Sequence, residues 1–185
     1  MESYLIFFLL LLISYFLGYY ILPEGSLKEI PLLSVVTFQE SNVLIFLVVQ
    51  TLIYNSFMIF IIVGANLLKV KSFPFGYLPL FGNVIILGLF AGTDSFSGGI
   101  SSHSVTGWLY FIQIGLLEFS AYIFTCSATA NIDIYRAEKW HGEDFQKVRG
   151  LKDIRLSLTE RVLIIVAILF LIFAAINEWR FFFLD

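Results

Sequence analysis

The chain has 185 residues, of which 59% are apolar and 14% charged, with 21 Phe; a soluble domain carries about 45–50% apolar and about 25% charged residues. With a mean hydropathy of +0.90, this composition excludes a disordered chain and an ordinary water-soluble globule, and describes a polytopic membrane protein. Eleven Lys and Arg against 14 Asp and Glu, a net charge of -3, leave no cationic excess for phosphates, so no nucleic acid is expected as a partner.

A helix needs about 20 mostly apolar residues to cross a hydrocarbon core roughly 30 Å thick. Five stretches approach or meet that length: Tyr4 to Leu22, Val43 to Leu68, Phe75 to Gly92, Gly107 to Ile132, and Val162 to Glu178 with an apolar tail to Leu184. They are apolar all round rather than in alternation, which predicts an all-α transmembrane helical bundle forming one integral membrane domain over 1–185, not a barrel. The first stretch lacks a cationic leader and a small-residue cleavage site, so it reads as a retained span. The third is short, with Pro74 and Pro79 at its start and Gly76, Gly82, Gly88 and Gly92 along it.

Lysine and arginine are retained on the cytoplasmic side. Nine cations, Lys69, Lys71, Arg136, Lys139, Lys147, Arg149, Lys152, Arg155 and Arg161, fall after the second stretch or between the fourth and fifth, against Lys28 and Arg180 in the alternate segments. This asymmetry predicts five spans with the N-terminus inside and the C-terminus outside, in a multi-pass protein of the cell membrane. The connector 133–160 carries both charge signs, with Phe145, Val148, Leu151, Ile154 and Leu156 about three residues apart. It reads as an amphipathic cytoplasmic helix, either lying at the headgroups or simply solvated. Thr93 to Thr106, rich in Ser and Gly, reads as a flexible external turn.

Polar residues inside the spans are the functional candidates, because a carboxylate at mid-bilayer costs about 2.5–3.5 kcal/mol or more. On the fourth span, Gly115, Glu118, Tyr122, Thr125 and Thr129 share a sector of roughly 80° at about 100° per residue. Glu118 is therefore expected to face protein, water or a partner, as a proton-accepting or partner-reading carboxylate, or as a carboxyl hydrogen-bonded to a neighbouring helix. Asn55 and Asn66 share a face of the second span and Asn83 sits in the third; amides in hydrocarbon must find partners, and interhelical packing is the expected role. Ala174, Ala175 and Glu178 lie together on the fifth span, with Glu178 near the outer interface and open to hydration. Gly64, Gly82, Gly88, Gly115, Ala121, Ala174 and Ala175 are the candidate helix-packing positions. Cys126, the single cysteine, reads as a buried thiol.

No catalytic residues, metal site or cofactor are expected. His103 and His141 fall in loops on opposite sides of the bilayer, Ser97-Gly98-Gly99 lies in a loop without a membrane-depth base, and His141 with Glu143 and Asp144 reads as a solvated charged face.

Four short patterns occur in order. They are Tyr54-Asn55-Ser56 with Gly64, Leu80-Phe81-Gly82-Asn83 with Gly88, Gly115-Leu116-Leu117-Glu118 with Ala121, and Phe173-Ala174-Ala175-Ile176-Asn177-Glu178. From about Tyr54 to Leu184 this order resembles the stage II sporulation protein M family of small integral membrane proteins. The chain departs from that pattern at Val84, where the family carries Gly, and at Ile114, where it often carries His. The resemblance implies a five-span, N-inside protein and, from the family's role in spore formers, a scaffold that recruits envelope proteins. Because its polar groups read as scattered, the chain is expected to be a non-enzymatic assembly partner for other membrane proteins, with a homodimer possible. The alternative is a transport component in which Glu118 and the Asn residues line a path for protons, ions or a small solute.

Overall fold

A computed structural model describes residues 2–28, 44–95, 101–139 and 144–183. Five apolar helical segments dominate. Helix α1 is Glu2–Ile21, α2 is Leu44–Ala65, α3 is Tyr77–Gly92, α4 is Val105–Thr129 and α5 is Leu158–Phe183. Four of them, α1, α2, α4 and α5, are long and apolar enough to cross a membrane. The third has 16 residues, about 24 Å at 1.5 Å per residue, short of the roughly 30 Å core. Outward faces are apolar, as contact with lipid requires; Phe60 on α2 is 76% exposed.

Helix α4 occupies the centre. One buried cluster joins Phe7 and Leu11 of α1, Ile62 of α2, Leu80 and Val84 of α3, and Phe119, Ile123 and Cys126 of α4. A second joins Ala121 of α4 to Ala167 and Leu171 of α5. Helix α1 lies along α3 in the same direction, and small residues make their close approach possible. A Cβ on Gly18 would stand 2.8 Å from the Leu89 carbonyl oxygen, and one on Gly92 would collide with the Tyr15 carbonyl oxygen. Gly88 meets Ser14 and Leu11 in the same way. Without a hydrophobic drive between helices in lipid, such backbone proximity supplies dispersion contact instead.

The bundle has two different ends. At the loop end, the Gly25 N–H donates to the Thr93 carbonyl at 2.6 Å. At the other end a small four-stranded sheet, in the order β2-β1-β3-β4, combines β1 (Leu68–Val70), β2 (Phe73–Pro74), β3 (Tyr135–Ala137) and β4 (Gln146–Lys147). Only β1 and β3 pair in parallel.

This sheet corrects two expectations. The second and third stretches were expected to run to Leu68 and from Phe75, whereas α2 stops at Ala65 and α3 starts at Tyr77, leaving room for the β1–β2 hairpin. The described part of the connector 133–160 is not an amphipathic helix. It is two short strands and a 3-10 turn, Leu151–Asp153, before α5. The hairpin offers an unpaired strand edge, and the connector satisfies its backbone there: Ile134 and Tyr135 N–H both donate to the Leu67 carbonyl, at 2.8 and 3.0 Å. Asp133, fully buried, fixes this turn through Arg136 at 2.8 Å and Arg149 at 3.6 Å.

Candidate functional site

The polar residues of α2, α4 and α5 converge, contrary to the scattered arrangement expected. Asn55, one turn beyond Thr51 on α2, donates through Nδ2 to Glu118 Oε1 at 2.8 Å and to the Thr51 carbonyl at 3.0 Å. The Tyr122 hydroxyl, one turn beyond Glu118, donates to Asn55 Oδ1. Thr51 Oγ1 in turn donates to Glu178 Oε2 at 2.9 Å, and the Tyr110 hydroxyl donates to Glu178 Oε1 at 3.1 Å. Two carboxyl groups, an amide and three hydroxyls thus link three helices. Thr51, Asn55 and Glu178 are buried, while Glu118 is part-buried.

The local backbone helps to assemble this group. Helix α4 contains a π segment, Phe111–Gly115, between Tyr110 and Glu118. Such a turn widens the helix and disturbs its regular carbonyl pairing. Asn177 of α5 donates to the Gln113 carbonyl there at 3.0 Å, so a polar side chain serves the irregular backbone.

A second polar junction lies nearer the sheet. Fully buried Asn66 donates to the Cys126 carbonyl at 3.1 Å and to Thr129 Oγ1 at 2.8 Å, and accepts the Gly76 N–H at 2.8 Å. It holds the end of α2, the end of α4 and the start of α3 together. A Cβ on Gly76 would strike the Asn66 amide. Between the two polar groups stand the apolar Ile62, Leu80 and Ile123, all at most 2% exposed, with the buried Thr125 at the same level of α4. Among the described residues, no hydrogen bond joins the two groups across this level.

The other candidates distribute as follows. Glu178 is not at a hydrated interface but buried and doubly bonded. Asn83 is half-buried on α3 and joins neither polar group, and the buried Thr125 contributes its carbonyl to Thr129 rather than its side chain to Glu118. Gly88 is a close-approach position; Gly115 packs under the Phe111 ring of its own helix. Ala121, Ala174 and Ala175 are fully buried. A Cβ on Gly64 or Gly82 meets nothing within 4 Å, so neither mediates packing within this chain. Thr51, Tyr110 and Asn177 were not anticipated. The spacing of Thr51 to Asn55, one helical turn, was the available signal.

In the loop expected as a flexible turn, the described residues, 93–95 and 101–106, are closely tied; 96–100 lie outside the described residues. Asp94 accepts from the Ser102 N–H at 2.6 Å and from its hydroxyl at 2.9 Å, and Ser102 Oγ also donates to the Ala91 carbonyl at 2.6 Å. His103 Nε2 lies 2.9 Å from the Gly92 carbonyl oxygen and its ring meets Tyr15 and Tyr19 edge-on. Ser97, Gly98, Gly99, His141 and Glu143 lie outside the described residues. Among the described residues, no three His, Cys, Asp or Glu side chains are grouped as metal ligands. Compared with known proteins, the chain matches no family model, no curated protein and no solved structure.

Proposed function

We propose that the chain is a non-enzymatic membrane protein of five spans, N-terminus inside, whose locked bundle serves as an assembly platform for other membrane or envelope proteins. The observation that carries this reading is that both intramembrane carboxyl groups are engaged by neighbouring helices of the same chain, Glu118 by Asn55 and Glu178 by Thr51 and Tyr110. Their bonds hold helices in place, and the buried Ile62, Leu80 and Ile123 separate them from the Asn66 junction at the sheet end, with Thr125 as the one polar side chain of α4 between. Exposed Gly64 leaves bare backbone on the lipid-facing surface, where a helix of another chain can approach closely. The sheet end carries the cations of the two loops that the positive-inside rule assigns to the cytoplasm, and α3 completes the alternation as a short fifth span. The resemblance to the sporulation protein M family agrees with a scaffold.

The test is affinity purification of the tagged protein from its native membrane in mild detergent, followed by native mass measurement, for wild type, Gly64→Leu and Glu118→Gln. A specific partner or dimer retained by wild type, retained by Glu118→Gln and lost in Gly64→Leu supports the platform. A wild-type chain recovered only as a monomer overturns it.

A second reading, a transport component, is favoured by one observation: Glu118 is part-buried rather than sealed, beside a chain of exchangeable hydroxyl and amide groups. It requires the level of Ile62, Leu80 and Ile123 to open.

A further inference from the structure

The connector between α4 and α5 presents apolar and cationic side chains together. Tyr135 is 42%, Val148 47% and Leu151 70% exposed, an unusual exposure for large apolar residues in a segment of mixed charge. Tyr135 stands directly opposite Lys147 across the β3–β4 ladder, so a ring and an ammonium group share one sheet face. Two of its acidic residues are turned toward its own backbone, while Glu138 and Asp144, between β3 and β4 in sequence, are exposed. Asp153 Oδ2 accepts the Gly150 N–H at 2.9 Å, and Glu160 Oε2 accepts the Ser157 N–H at 2.7 Å. Among the described residues, no acid pairs with Lys147, Lys152 or Arg155. From Gln146 to Leu156 the segment carries Lys147, Arg149, Lys152 and Arg155 against Asp153 alone, a local excess of cations beside the exposed Val148 and Leu151.

Its position identifies what covers it. The connector leads straight into α5, whose apolar span of 24 residues, Leu158–Phe181, measures about 36 Å at 1.5 Å per residue. That exceeds the roughly 30 Å hydrocarbon core by about one turn, and Ser157, Thr159, Glu160 and Arg161 make the connector end of α5 a polar end suited to headgroup level. Two contacts hold the two arms of the segment together: Asp133 binds Arg149, and Val148 N–H donates to the Ile134 carbonyl at 2.8 Å.

We infer that the connector is an interfacial foot that seats on anionic lipid, with Val148 and Leu151 dipping into the acyl boundary and Lys147, Lys152 and Arg155 meeting lipid phosphates. Juxtamembrane cations gain from an anionic leaflet, and their aliphatic stems lie along apolar surface while the charge stays at the headgroups. The foot would fix the tilt of α4 and α5 at the sheet end.

The test uses the full chain in nanodiscs, carrying a fluorophore on Leu151→Cys; Cys126 is buried and stays unlabelled. Quenching by a headgroup-linked nitroxide is compared with quenching by an aqueous quencher, in phosphatidylcholine alone and in phosphatidylcholine with phosphatidylglycerol. Headgroup quenching that dominates in the anionic bilayer supports the inference. So does its decline in variants Lys147→Gln, Lys152→Gln and Arg155→Gln by about fivefold per charge removed, the equivalent of about 1 kcal/mol each. A label open to the aqueous quencher in both bilayers overturns it and leaves the surface to a soluble protein. Equal headgroup quenching in both bilayers overturns the recognition of anionic lipid. A second label on Lys152→Cys, with unchanged thermal unfolding in detergent, separates a lost contact from a lost fold.

Discussion

Asn55 on α2 and Glu118 on α4 share a 2.8 Å hydrogen bond inside the bundle, and the same amide accepts the hydroxyl of Tyr122. One side chain therefore satisfies two groups that lipid would leave bare. Asn55→Leu is expected to destabilise the folded state by about 1–2 kcal/mol, the upper range for interhelical bonds in membranes. A double-mutant cycle with Glu118→Gln, read by unfolding in detergent, should give a coupling of about 0.5–1.5 kcal/mol. Additive effects would remove the bond from the account.

Asn66 makes three bonds to two other segments, two to the end of α4 and one to the start of α3, whereas Asn83 belongs to neither polar group. Asn66→Ala should cost about 2 kcal/mol or more by leaving the buried Gly76 N–H without its acceptor. Asn83→Ala should stay within about 0.5 kcal/mol. Thermal unfolding of the two variants side by side decides this, and equal losses would contradict the assignment.

The glycines divide into two groups by what stands beside them. Gly92→Ala drives a methyl group into the Tyr15 carbonyl and should loosen α1 from α3 at a cost of about 2 kcal/mol. Gly82→Ala enters open space and should be neutral or stabilising by up to about 1 kcal/mol, through the better helix propensity of Ala. Cross-linking between α1 and α3, scored alongside melting, distinguishes local separation from global unfolding.

At the loop end, burial raises the proton affinity of Asp94, but the N–H and hydroxyl of Ser102 outweigh it and hold the carboxyl below its ordinary range. A group depressed in the folded state adds stability above its unfolded-state range, and that stability is lost as pH falls through the depressed value. Wild type should therefore melt higher than Asp94→Asn at neutral pH, with the difference shrinking once pH falls below the usual carboxylate range. A difference that is constant with pH would contradict the Asp94–Ser102 clasp.

Long apolar runs without alternation made the helices readable, since a barrel, the other arrangement that satisfies its backbone in hydrocarbon, needs alternating strands. The stripe on α4 was also readable, because Glu118 and Tyr122 sit one turn apart and both turn inward to Asn55. What stayed hidden depends on contacts between distant segments. Sequence spacing does not tell that the Glu178 carboxyl meets Thr51 and Tyr110, or that β1 will offer an edge to β3. The connector was misread because apolar residues three apart suit a helix as well as short strands and turns, and the partner that decides lies more than sixty residues away. Gly64 and Gly88 look alike in sequence; only the neighbouring helix makes one of them a packing position.

If the Asn55–Glu118–Glu178 group locks helices, it does not conduct protons. Proton flux into vesicles holding the purified chain, driven by a pH gradient, tests it most directly, with Glu118→Gln as the comparison. Wild type, Glu118→Gln and protein-free vesicles are expected to leak alike. A gradient-driven flux in wild type that disappears in Glu118→Gln would contradict the lock and make the carboxyl a carrier.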